Sequence, residues 1–379
     1  MEKPQSRVLR QAYGFDEVSI VPGDVTINPD QTNADFKIGD IVFTVPIVAA
    51  AMDAVTDTRF AVLMSNFGGL AVLNLEGIYT KYENPSVVLE EIVQAPDTEV
   101  TALLQKIYSE PIKDDLIARR IKEIKSHGAI CAVSVTPANT KRLVPVVAEA
   151  GADILVVQST VTTAHHISKS YHGLVFSELC QIVKMPVVVG NCVTYSACLE
   201  LMRNGVAGIL VGIGPGAACT SREVLGIGVP QITATMDCAA ARENYLTETG
   251  RYVPIITDGG FRRSGDLCKA IAAGADAAMI GSIFAQTKEA PGGGYHWGMS
   301  TSHPVLPRGT RIKVGVKGTL EQVLFGPSSV TDGSQNLVGA LRIAMGMCGA
   351  LNLREMQQAE LVLSPSITTE GKYWQLARL

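Results

Sequence analysis

Eight short apolar runs, each followed by a stretch of helical periodicity, constrain the fold of this 379-residue chain more than any other feature. They are Pro46-Ile-Val-Ala-Ala-Ala51, Leu70-Ala-Val-Leu-Asn74, Ala129-Ile-Cys-Ala-Val-Ser-Val135 and Ile154-Leu-Val-Val-Gln158, then Pro186-Val-Val-Val-Gly190, Gly208-Ile-Leu-Val-Gly212, Pro254-Ile-Ile-Thr-Asp258 and Ala277-Ala-Met-Ile-Gly281. Nearly all are continuous rather than alternating, the mark of strands covered on both faces of a parallel sheet. Amphipathic segments such as Leu143–Gly151 and Ser196–Gly205 lie between them. A glycine recurs at the helix end just before a strand, in Ala150-Gly-Ala-Asp153, Asn204-Gly-Val-Ala207 and Ala273-Gly-Ala-Asp276. The pattern predicts an α/β chain forming one TIM (β/α)8 barrel across 1–379, with a doubly wound sheet as the rival.

Two segments depart from the repeat. Residues 80–127 are charged and helical, and read as an elaborated surface crossover between the second and third strands. Residues 287–336 are rich in Gly, Pro, Ser and Thr, and read as a long lid-like loop after the eighth strand.

Composition narrows the function classes. The chain is 47% hydrophobic and 18% charged, with a formal net charge of -4, so no basic field invites nucleic acid. The start lacks an apolar leader and no stretch is long enough to cross a membrane, which predicts a soluble, cytoplasmic protein. Eight cysteines occur with no C-x-x-C pair, fitting neither a zinc site nor a disulfide scaffold, and most read as small buried hydrophobes. The six histidines form no ligand array, so no transition-metal site is expected.

Cys219 is the exception among the cysteines. It lies in Gly212-Ile-Gly-Pro-Gly-Ala-Ala-Cys219-Thr-Ser-Arg222, just past a strand, where glycines let the backbone loop tightly and leave room for a substrate. That setting suits a nucleophile better than a core side chain. The loops after the seventh and eighth strands, Asp258-Gly-Gly260 and Gly281-Ser282, expose backbone amides where such barrels commonly hold phosphate.

With these features in place, the chain resembles the IMP dehydrogenase/GMP reductase family over nearly its whole length. The matching motifs are Phe15-Asp-Glu-Val with Val21-Pro22, Ala51-Met-Asp-Ala-Val-Thr56, Val189-Gly-Asn-Cys-Val-Thr194 and the Cys219 loop. They continue with Thr257-Asp-Gly-Gly260, Met279-Ile-Gly-Ser282, Glu289-Ala-Pro-Gly292 and Gly298-Met-Ser300. The tandem CBS module that most family dehydrogenases insert after strand 2 is missing, so the chain looks most like the CBS-lacking, IMP dehydrogenase-related branch.

The resemblance implies an NAD-dependent oxidation of IMP to XMP through a covalent thioimidate on Cys219. It implies that Asp258 holds the ribose hydroxyls and that Gly260, Gly281 and Ser282 hold the phosphate. Met52, Gly298 and Met299 would line the purine site. Gln158, Ser159, Asn191, Gly212 and Gly214 would face NAD, and the carbonyls of Gly214, Gly216 and Cys219 would bind a monovalent cation, K+ in the family. A homotetramer or octamer is implied, with Ile367-Thr-Thr-Glu-Gly-Lys372 reaching a neighbour.

Several positions depart from the family pattern. Gln158 stands where dehydrogenases carry an acid, Ala217 and Ala50 replace serines, and His296-Trp297 fills the aromatic position before Gly298. The flap that carries the water-activating Arg-Tyr pair in the family is shortened, and no such pair occurs between Met299 and Val314. Arg308, between Pro307 and Gly309, is the first substitute and Arg311 the second, while Glu289 with Thr220 or Ser221 offers another proton path. GMP reductase and a catalytically silent nucleotide-binding regulator are the competing readings.

Overall fold

The computed structural model describes residues 9–167, 173–298 and 311–364. The eight predicted strands form β1 (Ile47–Ala49), β2 (Leu70–Asn74), β3 (Ala132–Val135), β4 (Ile154–Gln158), β5 (Val187–Cys192), β6 (Gly208–Val211), β7 (Ile255–Asp258) and β8 (Ala277–Ile280). They close into a barrel in the order β7-β8-β1-β2-β3-β4-β5-β6, every pair parallel. Almost every strand residue is buried, as continuous apolar runs require when side chains fill the interior on one face and meet helices on the other. The architecture is the (β/α)8 barrel rather than the doubly wound rival.

Helices α1 (Thr58–Asn66), α2 (Asp114–Lys125), α3 (Pro137–Ala150), α4 (Phe176–Ile182), α5 (Tyr195–Arg203), α6 (Gln231–Thr249), α7 (Ser264–Ala272) and α8 (Leu337–Met347) form the outer ring. Local chemistry sets their ends. The Asp57 carboxylate accepts from the Phe60 amide at the start of α1, and the Thr194 hydroxyl accepts from the Ala197 amide at the start of α5. Gly151 ends α3 at φ 84°, a left-handed conformation that other residues adopt only with strain. Buried Arg242 on α6 donates to Asp276 at 2.8 Å, and the Ile255 amide donates to the same carboxylate, which joins α6 to the entries of β7 and β8.

Of the two irregular segments, residues 80–127 hold helices, as their pattern implies. Helices Pro85–Gln94, Val100–Ser109 and α2 bury Leu104, Ile107, Ile117, Ile121 and Ile124 against the barrel. After β8, strand Tyr295–Trp297 pairs antiparallel with Arg311–Lys313, and helix Leu320–Phe325 follows. In its described parts that stretch is therefore a strand pair and a helix, held down by the buried side chains of His296 and Trp297.

Candidate active site

A single cleft gathers the carboxyl ends of the barrel strands, where open backbone groups and short loops leave room for ligand. It encloses about 1050 Å³ including its open mouth, and Met52, Gln158, Ser159, Asn191, Gly212, Gly214, Gly216, Cys219, Thr220, Ser221, Asp258, Gly260, Gly281, Ser282 and Gly298 all line it. These residues come from the ends of six strands and span most of the chain.

Asp258, the last residue of β7, organises the floor. Its Oδ2 accepts from Asn191 Nδ2 at 2.7 Å and from Gln158 Nε2 at 2.9 Å. Asn191 Nδ2 also donates to the Gly212 carbonyl at 2.8 Å, and Gln158 Nε2 donates to Asn191 Oδ1 at 3.0 Å. Three strand ends are thus tied to one carboxylate. Burial pushes the Asp258 carboxyl up to about 6, although both side-chain amides favour its charged form. No described group bonds Oδ1, and Gln158 Oε1 is buried without a partner.

The Cys219 loop forms one wall. Its base is closed by a bridge between Ile213 and Val229, and Arg222 donates to the Val229 carbonyl at 2.8 Å. The Cys219 amide donates to the Gly216 carbonyl at 3.0 Å, turning the half-buried thiol into the cleft 3.4 Å from the Ser221 hydroxyl. Opposite, Gly281 ends β8 so close to the first loop that a Cβ there would meet Met52 Sδ at 2.7 Å. Ser282 Oγ and His296 Nε2 share a hydrogen bond of 3.1 Å. Burial pushes the His296 imidazole down to about 4, so it is neutral at pH 7, and its Nδ1 has no partner.

Two sequence candidates lie apart from the cleft. Glu289 is not among the lining residues, and its carboxylate accepts from the Leu320 amide at 2.8 Å, at the start of helix Leu320–Phe325. Arg311 is withdrawn as a water-activating group. Its guanidinium donates to the Ile92 and Val93 carbonyls and stacks on the Tyr295 ring, away from the cleft. Met299, Arg308 and the segment 367–372 lie outside the described residues.

Sequence reasoning missed Gln231 and Phe261. Gln231 Nε2, at the start of α6, donates to the carbonyls of Val211, Asp258 and Gly259, bracing the ends of β6 and β7. Phe261 lines the cleft and packs on Phe15 with ring centroids 5.1 Å apart, so the N-terminal segment supports the loop after β7. Neither residue sits in a distinctive local pattern, since both roles arise from carbonyls and rings that meet only after barrel closure.

Comparison with known proteins gives a consistent match. The family described as "IMP dehydrogenase / GMP reductase domain" matches residues 12–372. An uncharacterized oxidoreductase of Mycobacterium leprae is 39% identical over 373 residues, covering 96% of this chain and 100% of its own. The inosine-5'-monophosphate dehydrogenase of Cryptosporidium parvum is 30% identical, covering 94% of this chain and 92% of its own. A crystal structure of an IMP dehydrogenase/GMP reductase-like protein from Corynebacterium glutamicum superposes with a TM-score of 0.90 at 34% identity, covering 96% of this chain and 97% of that one.

Proposed function

This chain belongs to the IMP dehydrogenase/GMP reductase family, and on that premise we propose that it is an IMP dehydrogenase that oxidises IMP to XMP with NAD. The observation that carries the reading is the convergence of a half-buried thiol, Cys219, and an open carboxylate oxygen, Asp258 Oδ1, on one cleft.

In this reading the ribose hydroxyls donate to Asp258, whose Oδ2 is already fixed by two amides. The amides of Gly260, Gly281 and Ser282 hold the phosphate, with neutral His296 behind Ser282. Met52 and Gly298 line the purine's place, which brings its C2 to the Cys219 sulfur. Sulfur adds to C2, and the hydrogen on C2 departs with its electron pair, leaving a thioimidate. Water then adds to C2, the C2–S bond breaks with its electrons returning to sulfur, and XMP is released.

NAD, when bound, accepts the departing hydride. Asn191, Gly212 and Gly214 would hold its nicotinamide end, with Gln158 and Ser159 beside its ribose, and the unpartnered Gln158 Oε1 offers an acceptor suited to a hydroxyl. The carbonyls of Gly214, Gly216 and Cys219 would hold a monovalent cation such as K+. Gly216 fits that role with its second lone pair, because the first already accepts the Cys219 amide. Thr220 and Ser221, which line the cleft, are the candidates for moving the proton, and Arg308 is the candidate for activating water. Exposed Ile343 and Met347, one turn apart on α8, suit assembly into a tetramer or octamer. Among the described residues no helix is long and apolar enough to cross a membrane.

The test is absorbance at 340 nm with IMP plus NAD in one cuvette and GMP plus NADPH in another. NADH formation from IMP is expected, with Cys219→Ala losing turnover while keeping nucleotide affinity within about tenfold, since phosphate and ribose contacts lie elsewhere. NADPH consumption with GMP and none with IMP would replace this reading with the reductase. Silence in both arms would leave a nucleotide-binding regulator.

A further inference from the structure

Behind the cleft floor, three cysteines far apart in sequence come together. Cys192 ends β5, Cys198 lies on the inner face of α5, and Cys238 lies on α6, which packs against α5. Their sulfur atoms all fall within 4.8 Å of one another. Each side chain is 2% exposed or less, and all three are free thiols. We propose that Cys192, Cys198 and Cys238 form a binding site for a soft d10 metal cation, with Cu(I) as the type. The inference is independent of the reaction assigned to the cleft.

Three features distinguish the cluster from ordinary core packing. A cysteine serving only as a small hydrophobe turns its sulfur toward carbon atoms, whereas these three turn theirs toward each other. A trigonal site with metal–sulfur bonds of about 2.3 Å places its sulfurs about 4.0 Å apart, so closing on a metal requires less than about an ångström of adjustment. The hydrogen bonds that the thiols already make are long. Cys198 Sγ donates to the Cys238 carbonyl at 3.7 Å and Cys238 Sγ to the Thr194 carbonyl at 3.9 Å, weak bonds that a metal–thiolate bond replaces readily.

The donor set selects the metal class. All three donors are sulfur, which favours soft cations over Mg2+, Ca2+ or Mn2+. Among the described residues no fourth histidine, cysteine or carboxylate joins them. Structural zinc is held by four ligands, so a three-sulfur site suits a cation content with three. The wrong spacing for any C-x-x-C motif explains why the sequence points away from a metal here, since the ligands come from one strand end and two different helices. Occupancy has a structural consequence, because Cys192 directly follows Asn191, the side chain that fixes Asp258.

The experiment uses the full-length Cys219→Ala protein, which removes the thiol of the cleft, under anaerobic conditions. Cu(I) is supplied as its bicinchoninate complex, and transfer is followed by loss of the complex's colour and by native mass spectrometry. The expected result is one Cu(I) per chain, a higher Tm, and an X-ray absorption spectrum showing three sulfur neighbours. Adding Cys198→Ser or Cys238→Ala should weaken Cu(I) affinity by about a hundredfold or more, beyond the usual effect of disturbing a group behind the ligands. The proposal is overturned if the folded Cys219→Ala protein takes no Cu(I). It is equally overturned if binding survives either added substitution, or if the absorption spectrum shows two sulfurs or nitrogen and oxygen neighbours. The spectrum decides the matter even where a double variant fails to fold.

Discussion

Two carboxylates near the ends of barrel strands, Asp53 after β1 and Asp258 at the end of β7, differ in how completely the protein surrounds them. Burial pushes both carboxyls up. Asp53 is closed on every side. Tyr108 Oη and the Ile78 amide donate to one oxygen, Asn74 Nδ2 donates to the other, and Trp297 Nε1 donates to Tyr108 at 2.7 Å. Asp258 has both its donors on Oδ2, and the unpartnered Gln158 Oε1 and His296 Nδ1 belong to residues that line the same cleft. A buried polar group is costly unless it is paired. A network whose bonds all end inside the protein therefore supports the fold, and one left open toward a cavity is organised for a ligand.

The sharpest way to break this comparison is to neutralise each acid in turn. Asp258→Asn is expected to lower kcat/KM for the nucleotide by about a hundredfold or more while leaving Tm unchanged or higher. Asp53→Ala should instead unfold the protein several degrees earlier, a loss of about 2–4 kcal/mol, because it strands the Tyr108 hydroxyl, the Asn74 amide and the Ile78 amide. Equal losses of activity and stability in both variants would erase the distinction.

A subtler variant sharpens it. Gln158→Glu puts a second carboxyl where an amide now donates 2.9 Å from Asp258, and two carboxylates that close cannot both ionise. The pair should hold a proton into the neutral range, raising nucleotide KM at pH 7 by about tenfold and moving the acid limb of the pH profile upward by about one unit. An unchanged profile would mean that Gln158 does not govern the charge on Asp258.

The wild-type pH dependence follows the same logic. Asp258 accepts hydroxyl donors best when ionised, so nucleotide affinity should rise as pH increases through about 6, and Asp258→Asn should flatten that rise. The stability effect runs the other way. The folded carboxyl holds its proton more tightly than an unfolded one near 3.8, so this group's contribution is greatest at low pH and is lost as pH climbs from 3.8 through about 6. Thermal melts of the two proteins across that window check the sign.

The smallest expected effect belongs to the outer edge of the closed network. Trp297→Phe removes the indole donor to Tyr108 and should cost about 1 kcal/mol of stability, with nucleotide affinity unchanged. A large affinity loss instead would show that the Asp53 network reaches the ligand through the hairpin that carries His296.

The sequence by itself determined the eight strands, their parallel pairing, the glycine that ends α3 and the Cys219 loop. Each of these is written in a local pattern: an apolar run, a helix-end glycine or a flexible turn beside a nucleophile. Only the tertiary structure decided that the Gln158 amide nitrogen donates to Asp258, one hundred residues away, while its Oε1 stays without a partner. It also sent Arg311 to the carbonyls of Ile92 and Val93, joined Tyr108 of the crossover to Asp53, and brought three scattered cysteines together behind Asn191. Burial patterns repeat along a chain with the period of its helices and strands, so they can be read residue by residue. Polar pairs have no such period, because they depend on which side chains the closed barrel leaves within about 3 Å of one another.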